Sequence, residues 1–348
     1  MRVLHLYRPR LPDTRAQSIQ VLRTCHALAV AGHEVTLLAN KGRRTHALWE
    51  EMGLEPHEML NLQLAPTRHP GLSGVWFRRA VTKWWAGPPG MVLARDKKRL
   101  AQHLRAEGKR EHRVILEVHE LDSLQDDGHL DPIVFTLERE CLEAADALVA
   151  NCEGTLSAWR EHHKVSVPTL VCHNATHVQS SVSNDRPDTV VVLGTMRDNK
   201  GTRSILNAVQ ALHLPFRWVG GTKEERLRWS GEIQLEEPIP HAQIEEALSE
   251  AGVLLLPLGD NPFSHRFTSP LKLWDYLATD RPIVAANTQA IRDICRGFST
   301  EIFTYQPDDI ESIRQAVLRA SRASSRTPIR RTWMTRANEI SSLFSAVQ

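Results

Sequence analysis

Apolar and polar positions alternate along the chain in two recurring blocks. Val3-Leu-His-Leu-Tyr7 is a short apolar run and Arg8 to Arg15 is polar. Apolar residues then recur at helical spacing from Ile19 to Ala31, closed by Gly32, before Val35-Thr-Leu-Leu-Ala39 forms another apolar run. This spacing predicts strand, helix, strand: a βαβ unit. The layout restarts with Val190-Val-Val-Leu193, the loop Gly194-Thr-Met-Arg-Asp-Asn-Lys-Gly201, a helix over 204–212 and a strand at Phe216-Arg-Trp-Val219. Further strands are predicted at 114–118, 252–257 and 282–285, a helix at 270–279, and a last helix over about 330–346 that no strand follows. Strands alternating with helices predict an α/β protein with parallel sheets covered on both faces, which bind ligands at the carboxyl ends of their strands. The segment Val178-Gln-Ser-Ser-Val-Ser-Asn-Asp-Arg-Pro187 has no periodicity and reads as a linker between two Rossmann-like, doubly wound domains, 1–180 and 185–328.

Composition narrows the class. With 348 residues, 41% hydrophobic and 24% charged, the chain is long enough for two cores and is neither disordered nor fibrous. No apolar run approaches the roughly 18 residues of a membrane span, and the first ten residues carry charge where a signal core would lie. The five cysteines form no C-x-x-C pair, which fits a reducing compartment. A cytoplasmic protein is expected. Forty-three basic residues against 41 acidic ones give no reason to expect a nucleic-acid partner.

The charge is unevenly placed. Residues 68–113 hold 12 basic and 3 acidic side chains, so this stretch is +9 and the remainder −7. Within it, Phe77, Val81, Trp84 and Trp85 share a helical face with Trp76 beside it, and Arg78, Arg79 and Lys83 add charge. Two readings stand. Either the helix lies in the interface of an anionic membrane, making 74–113 a peripheral contact at the inner membrane, or the aromatics fill the core and the charges are solvated.

Diphosphate binding needs backbone N–H groups at a helix start together with cations. Gly194–Gly201 with Arg197 and Lys200, and Ser269-Pro-Leu-Lys272, both meet that description. His119 ends an apolar strand and is read either as structural or as a site residue. No G-x-G-x-x-G follows a strand and no G-x-S-x-G is present, which counts against a dinucleotide dehydrogenase and a serine hydrolase. His162, His163, Cys172, His173 and His177 lack regular ligand spacing, so no metal site is expected.

The segment Ser269-Pro-Leu-Lys-Leu-Trp-Asp-Tyr-Leu-Ala-Thr-Asp-Arg-Pro-Ile-Val-Ala285 resembles the donor-binding helix and following strand of the retaining GT-B glycosyltransferases of family 4, also called glycosyltransferase group 1. Gly32-His-Glu-Val35, Glu117-Val-His-Glu120, Cys172-His-Asn-Ala175 and Gly194–Gly201 are similar to further segments of that family, in the family's order. The resemblance spans about residues 1–345. It implies a GT-B fold of two facing Rossmann-like domains: an acceptor domain over 1–180, a donor domain over 185–328, and a helix over 329–348 returning to the first. It implies transfer of a sugar from a nucleotide diphosphate sugar to an acceptor hydroxyl with retention, hexosyltransferase-like, without metal or cofactor. The acceptor would be a glycan or lipid-linked sugar in cell-surface polysaccharide or glycolipid synthesis.

Residue by residue, the resemblance makes His119, Arg197 and Lys200 catalytic, and gives Gly194, Lys200, Ser269, Pro270, Leu271, Lys272 and Asp275 to the donor, with Asp275 on the ribose hydroxyls. Arg15, Gln17 and Ser18 would contact acceptor or phosphate, in a loop where Arg15-Ala16 replaces the family's Gly-Gly. The chain departs from the family at Thr195, where an arginine often stands, and at Phe267, where an acidic residue holds the donor sugar. Asp260, Asn261, Ser264 and His265 are the nearby substitutes. The alternatives are a nucleotide-sugar epimerase of the same architecture and an inactive relative that binds a nucleotide sugar or a partner glycosyltransferase.

Overall fold

A computed structural model of the chain describes residues 1–13, 15–42, 45–66, 69–179, 187–229 and 234–347. The chain divides into two compact units, Met1–Asn174 with Trp333–Gln348, and Ala175–Thr332. The linker expected at 178–187 falls mostly on 180–186, and Arg68 at 67–68, both outside the described residues.

The first unit is built on eight strands: β1 (Arg2–Leu6), β2 (Arg10–Leu11), β3 (Glu34–Lys41), β4 (Leu60–Leu64), β5 (Met91–Ala94), β6 (Arg113–Val118), β7 (Ala147–Ala150) and β8 (Thr169–Val171). Their order is β2-β3-β1-β5-β6-β7-β8, with β4 also on β3, and every pairing is parallel. Met91–Ala94 and Ala147–Ala150 are buried along their whole length, as central parallel strands covered by helices on both faces must be.

Helix Ala16–Val30 packs on helix Trp333–Ala346 within this unit. Two contacts fix that pairing: His33 Nε2 lies 2.8 Å from Ser341 Oγ, and the His33 ring meets Phe344 edge-on at 5.5 Å. The last helix, some 300 residues downstream in sequence, therefore belongs to the first unit.

Helix Pro70–Trp85 decides between the two readings of the aromatic stretch. Phe77, Val81, Trp84 and Trp85 are 1%, 0%, 9% and 0% exposed. Trp85 donates its indole N–H to Gly108 O at 3.0 Å and stacks on His103, while Trp84 lies against His112 and under the Arg2 guanidinium. The expected membrane face is therefore core. These rings bury more area inside the fold than at an interface, and Trp85 finds a partner for its N–H there. The outward face carries Leu72, Val75, Arg78, Arg79 and Lys83.

Among the described residues the second unit holds six parallel strands: β9 (Val190–Leu193), β10 (Phe216–Val219), β11 (Gln234–Glu236), β12 (Val253–Leu256), β13 (Ile283–Ala286) and β14 (Phe303–Tyr305), in the order β11-β10-β9-β12-β13-β14. The order reverses beside β9, which places a crevice for ligands at the loops after β9 and β12. Trp218, Trp274, Tyr276 and Tyr305 fill its core. The Tyr276 hydroxyl accepts from Leu193 N at 3.0 Å, tying helix Leu271–Leu277 to the end of β9.

Candidate functional site

In the second unit the loop after β9 leaves the sheet through Gly194, at φ 128°, a region open in practice only to glycine. Trp218 Nε1 donates to Gly194 O at 3.0 Å and holds that conformation. A Cβ at position 194 would stand 2.7 Å from Lys272 Cε, so the Lys272 chain lies directly over the missing side chain. Gly220 backs the same carbonyl so closely that a Cβ there would be 2.5 Å from Gly194 O.

Lys200, in the tight turn Asp198–Lys200 before helix Thr202–Gln210, donates from Nζ to Thr195 Oγ1 at 2.9 Å. Burial, followed by the charges of Lys272 and Arg197, pushes its pKa down to about 7, against the pull of Glu225. Burial also lowers Lys272. Two lysines and an arginine thus converge where backbone N–H groups end a strand and begin a helix. Two half-buried lysines with an exposed arginine beside them form a strong anion site.

Glu225 completes the loop and was not legible in the sequence. It accepts from Met196 N at 3.2 Å and Thr222 N at 3.0 Å, and lies 3.7 Å from Arg197 Nε. The only signal for it was an acidic first turn after Gly220-Gly221. Arg197 itself is 59% exposed, the most solvent-facing cation of the three.

Ser269 and Pro270 precede helix Leu271–Leu277. Ser269 is buried and its Oγ accepts from Trp274 Nε1 at 3.1 Å, which turns the hydroxyl inward; Leu271 is buried as well. Pro270 is extended at the N-cap and leaves Lys272, the second residue of the helix, as the side chain lying over Gly194.

Asp275 is 5% exposed and its Oδ1 accepts from Thr176 Oγ1 at 2.6 Å, while Thr176 Oγ1 accepts in turn from Val178 N. Phe267 is buried. Of the nearby polar substitutes, Asn261 binds Asn199 O and caps Ser264 N, so both are structural, whereas Asp260 and His265 pair at 2.6 Å in a solvent-facing turn.

In the first unit His119 follows β6 directly. Its Nε2 lies 3.0 Å from Glu117 Oε1, and Thr155 Oγ1 donates to its carbonyl. Burial, then the charge of Arg95, lowers His119 to about 4 despite Glu117. A neutral imidazole that donates from Nε2 presents Nδ1 as an acceptor.

Glu117, 1% exposed, is the hub. It accepts from Arg336 Nη2 at 2.7 Å and Gln20 Nε2 at 2.9 Å, with His5 Nε2 at 3.5 Å from its other oxygen. Burial pushes this carboxyl up, but the hydrogen bond from His119, the nearby His5 and the charge of Arg336 outweigh it and hold it well below the usual carboxylate range. Arg95 Nη1 donates to Gln20 Oε1 at 2.6 Å, joining the network to the end of β5.

Arg15 is exposed and pairs with Asp13 at 2.5 Å, and Ser18, buried, lies 3.4 Å from the same carboxylate; Gln17 is half-buried. Asp13 therefore neutralises the cation expected to meet phosphate there. Among the described residues no group of three His, Cys, Asp or Glu side chains is placed to hold a metal ion, and no helix is long and apolar enough to cross a membrane.

Two family models match successive parts of the chain: "Glycosyltransferase Family 4" over residues 17–179 and "Glycosyl transferases group 1" over 187–322. The chain belongs to the GT-B glycosyltransferases. Solved structures agree in fold. Sucrose-phosphate synthase (tll1590) from Thermosynechococcus elongatus superposes with a TM-score of 0.71 at 14% identity, covering 99% of this chain and 98% of that one. Anabaena Alr3699/HepE, in complex with UDP and glucose, gives 0.65 at 12% identity over 99% and 100%. The catalytic domain of Starch Synthase IV from Arabidopsis thaliana, bound to ADP and acarbose, gives 0.62 at 10% identity over 99% of each. No curated protein matches the chain in sequence.

Proposed function

We propose that the chain transfers a sugar from a nucleotide diphosphate sugar to an acceptor hydroxyl with retention of configuration. The observation that carries this is the convergence of Lys200 and Lys272 on the glycine-opened loop after β9. Similar structures hold UDP, UDP-glucose or ADP, which are ligands with the diphosphate this loop suits. A diphosphate leaves as an anion, so fixed cations and amides ease its departure without a protein acid or a metal. Lys200 and Arg197 supply charge, and Gly194, Ser269, Pro270, Leu271 and Lys272 shape the donor cradle. Asp275, engaged by Thr176, is assigned to the ribose edge of that cradle. His119 offers Nδ1 to a hydroxyl of the transferred hexose, and Gln17 and Ser18 contact acceptor more readily than the neutralised Arg15.

The acceptor is read as a glycan or lipid-linked sugar made in the cytoplasm for cell-surface polysaccharide or glycolipid. Peripheral contact of 74–113 with an anionic inner membrane would use the outward Leu72, Val75, Arg78, Arg79 and Lys83, because the tryptophans are core. Burial of Phe267 favours one second reading, a relative that binds a nucleotide sugar without transferring it, since no carboxylate stands there to hold the sugar. Incubation with UDP-, GDP- and ADP-sugars, monitoring nucleoside diphosphate release with mixed glycan and lipid acceptors, separates the two. Acceptor-stimulated release supports transfer; tight binding without release supports the second reading.

A further inference from the structure

The carboxyl ends of β1 and β5 lie side by side, Leu6 beside Ala94, so Tyr7-Arg8 and Arg95-Asp96 leave the sheet together. Arg95 and Asp96 both donate their backbone N–H to Leu6 O, which locks the two exits to each other. The Arg95 guanidinium lies 5.0 Å over the Tyr7 ring. Arg8 and Arg99 lie 5.6 and 4.7 Å from the centroid of one ring, that of the buried Phe77.

Arg8 has no protein acceptor for any of its guanidinium N–H groups among the described residues, and its Nη1 is enclosed. Gly74, three residues before Phe77 on the same helix, lies beside it: a Cβ there would be in ordinary contact with Arg8 Nη1 at 3.6 Å. Arg99 pairs with Asp96 at 3.0 Å, and Arg95 spends one N–H on the neutral Gln20. Arg95 also feels Glu117, Glu120 and Arg336, so Arg8, Arg95, Arg99 and Arg336 against Asp96, Glu117 and Glu120 leave a net +1. Like-charged guanidiniums repel and would spread into water unless the fold holds them, and here two share one aromatic platform. Planar guanidiniums suit the paired oxygens of a phosphate, and an anion offsets the excess positive charge.

We propose that Arg8, Arg95 and Arg99 form a second anion site that receives a phosphate or diphosphate group carried by the acceptor. The assignment of that anion to the acceptor rests on the transferase reading above; the site itself does not.

The test titrates inorganic pyrophosphate calorimetrically into the full chain saturated with UDP, which occupies the loop after β9. Wild type and the exposed-surface control Arg79→Gln should bind pyrophosphate, while Arg8→Gln and Arg99→Gln should lose at least tenfold in affinity with melting temperatures near wild type. Absent binding by wild type, or equal binding by both variants, overturns the site. If UDP does not bind but pyrophosphate does in an Arg8-dependent way, the donor reading falls and this site stands. Two further arms identify the source of the phosphate. Flotation with phosphatidylcholine vesicles containing phosphatidic acid, lost in Arg8→Gln, assigns a lipid-linked acceptor. Competition by glucose 1-phosphate without vesicle binding assigns a soluble sugar phosphate. Failure of both arms overturns the acceptor assignment.

Discussion

Arg336, on the last helix, donates from Nη2 to Glu117 Oε1 at 2.7 Å, and each side chain is 1% exposed. The same arginine also donates to Thr24 Oγ1 and to the carbonyls of Cys172 and His173. One side chain thus joins the C-terminal helix, the first helix and the strand that ends just before His119. Arg336→Met leaves a buried carboxylate without its main countercharge, a change that typically costs about 3–5 kcal/mol. Urea denaturation should show a loss of that order with an unchanged m-value. A loss below about 1 kcal/mol would mean that the carboxylate is solvated or protonated instead.

Much of this fold could be read from the sequence because parallel strands covered on both faces are largely apolar: Val190–Leu193 is wholly so, and Phe216–Val219 and Val114–Val118, each broken by one charged residue, also lie in observed strands. The loop Gly194–Gly201 stood out as a candidate anion site because its glycines allow close backbone approach while Arg197 and Lys200 offer charge. Long-range pairing was not visible. Nothing local to Glu117 announces Arg336, 219 positions away, and nothing near Asp275 announces Thr176. The tryptophans of helix Pro70–Trp85 were ambiguous for a related reason: the helical period shows that a face is apolar, not what covers it.

Lys200 sets a pH dependence. Its folded-state pKa of about 7 lies below its ordinary value of 10.5, so between the two the folded chain holds fewer protons than the unfolded one. This group therefore destabilises the fold most below about pH 7, and the penalty is relieved as pH rises toward 10. Anions bind the charged form, so nucleoside diphosphate affinity should fall as pH climbs through 7, with binding at pH 8 taking up a proton. Calorimetry in buffers of differing ionisation enthalpy reads that uptake directly. Binding without proton uptake at pH 8 would show Lys200 to be fully charged already.

Gly194→Ala should damage the site from the backbone outward. The residue sits at φ 128° and its Cβ would meet Lys272 Cε at 2.7 Å. Strain of this kind costs about 1–3 kcal/mol. The thermal midpoint should drop by several degrees, and nucleotide affinity should fall further than the stability loss alone accounts for, because Lys272 must move. An alanine variant with wild-type melting and wild-type nucleotide affinity contradicts the geometry.

Thr176→Val removes the donor to Asp275 Oδ1 and leaves the shape nearly unchanged. Loss of one hydrogen bond to a buried charged group typically costs about 1.5–3 kcal/mol. If the carboxylate orients the ribose, the same variant weakens nucleoside diphosphate binding while leaving inorganic pyrophosphate binding intact. Equal weakening of both ligands would place Asp275 in the scaffold alone.

The central claim is that the loop after β9 is a nucleoside diphosphate site in which Lys200 supplies charge. Calorimetric titration of UDP, GDP and ADP into wild type and Lys200→Ala at pH 6.5 tests it most directly. A charge-assisted contact worth about 1.5–3 kcal/mol predicts that at least one nucleotide binds wild type and that Lys200→Ala binds it roughly 10- to 100-fold more weakly. Wild type that binds none of the three, or Lys200→Ala that binds as tightly as wild type, contradicts it.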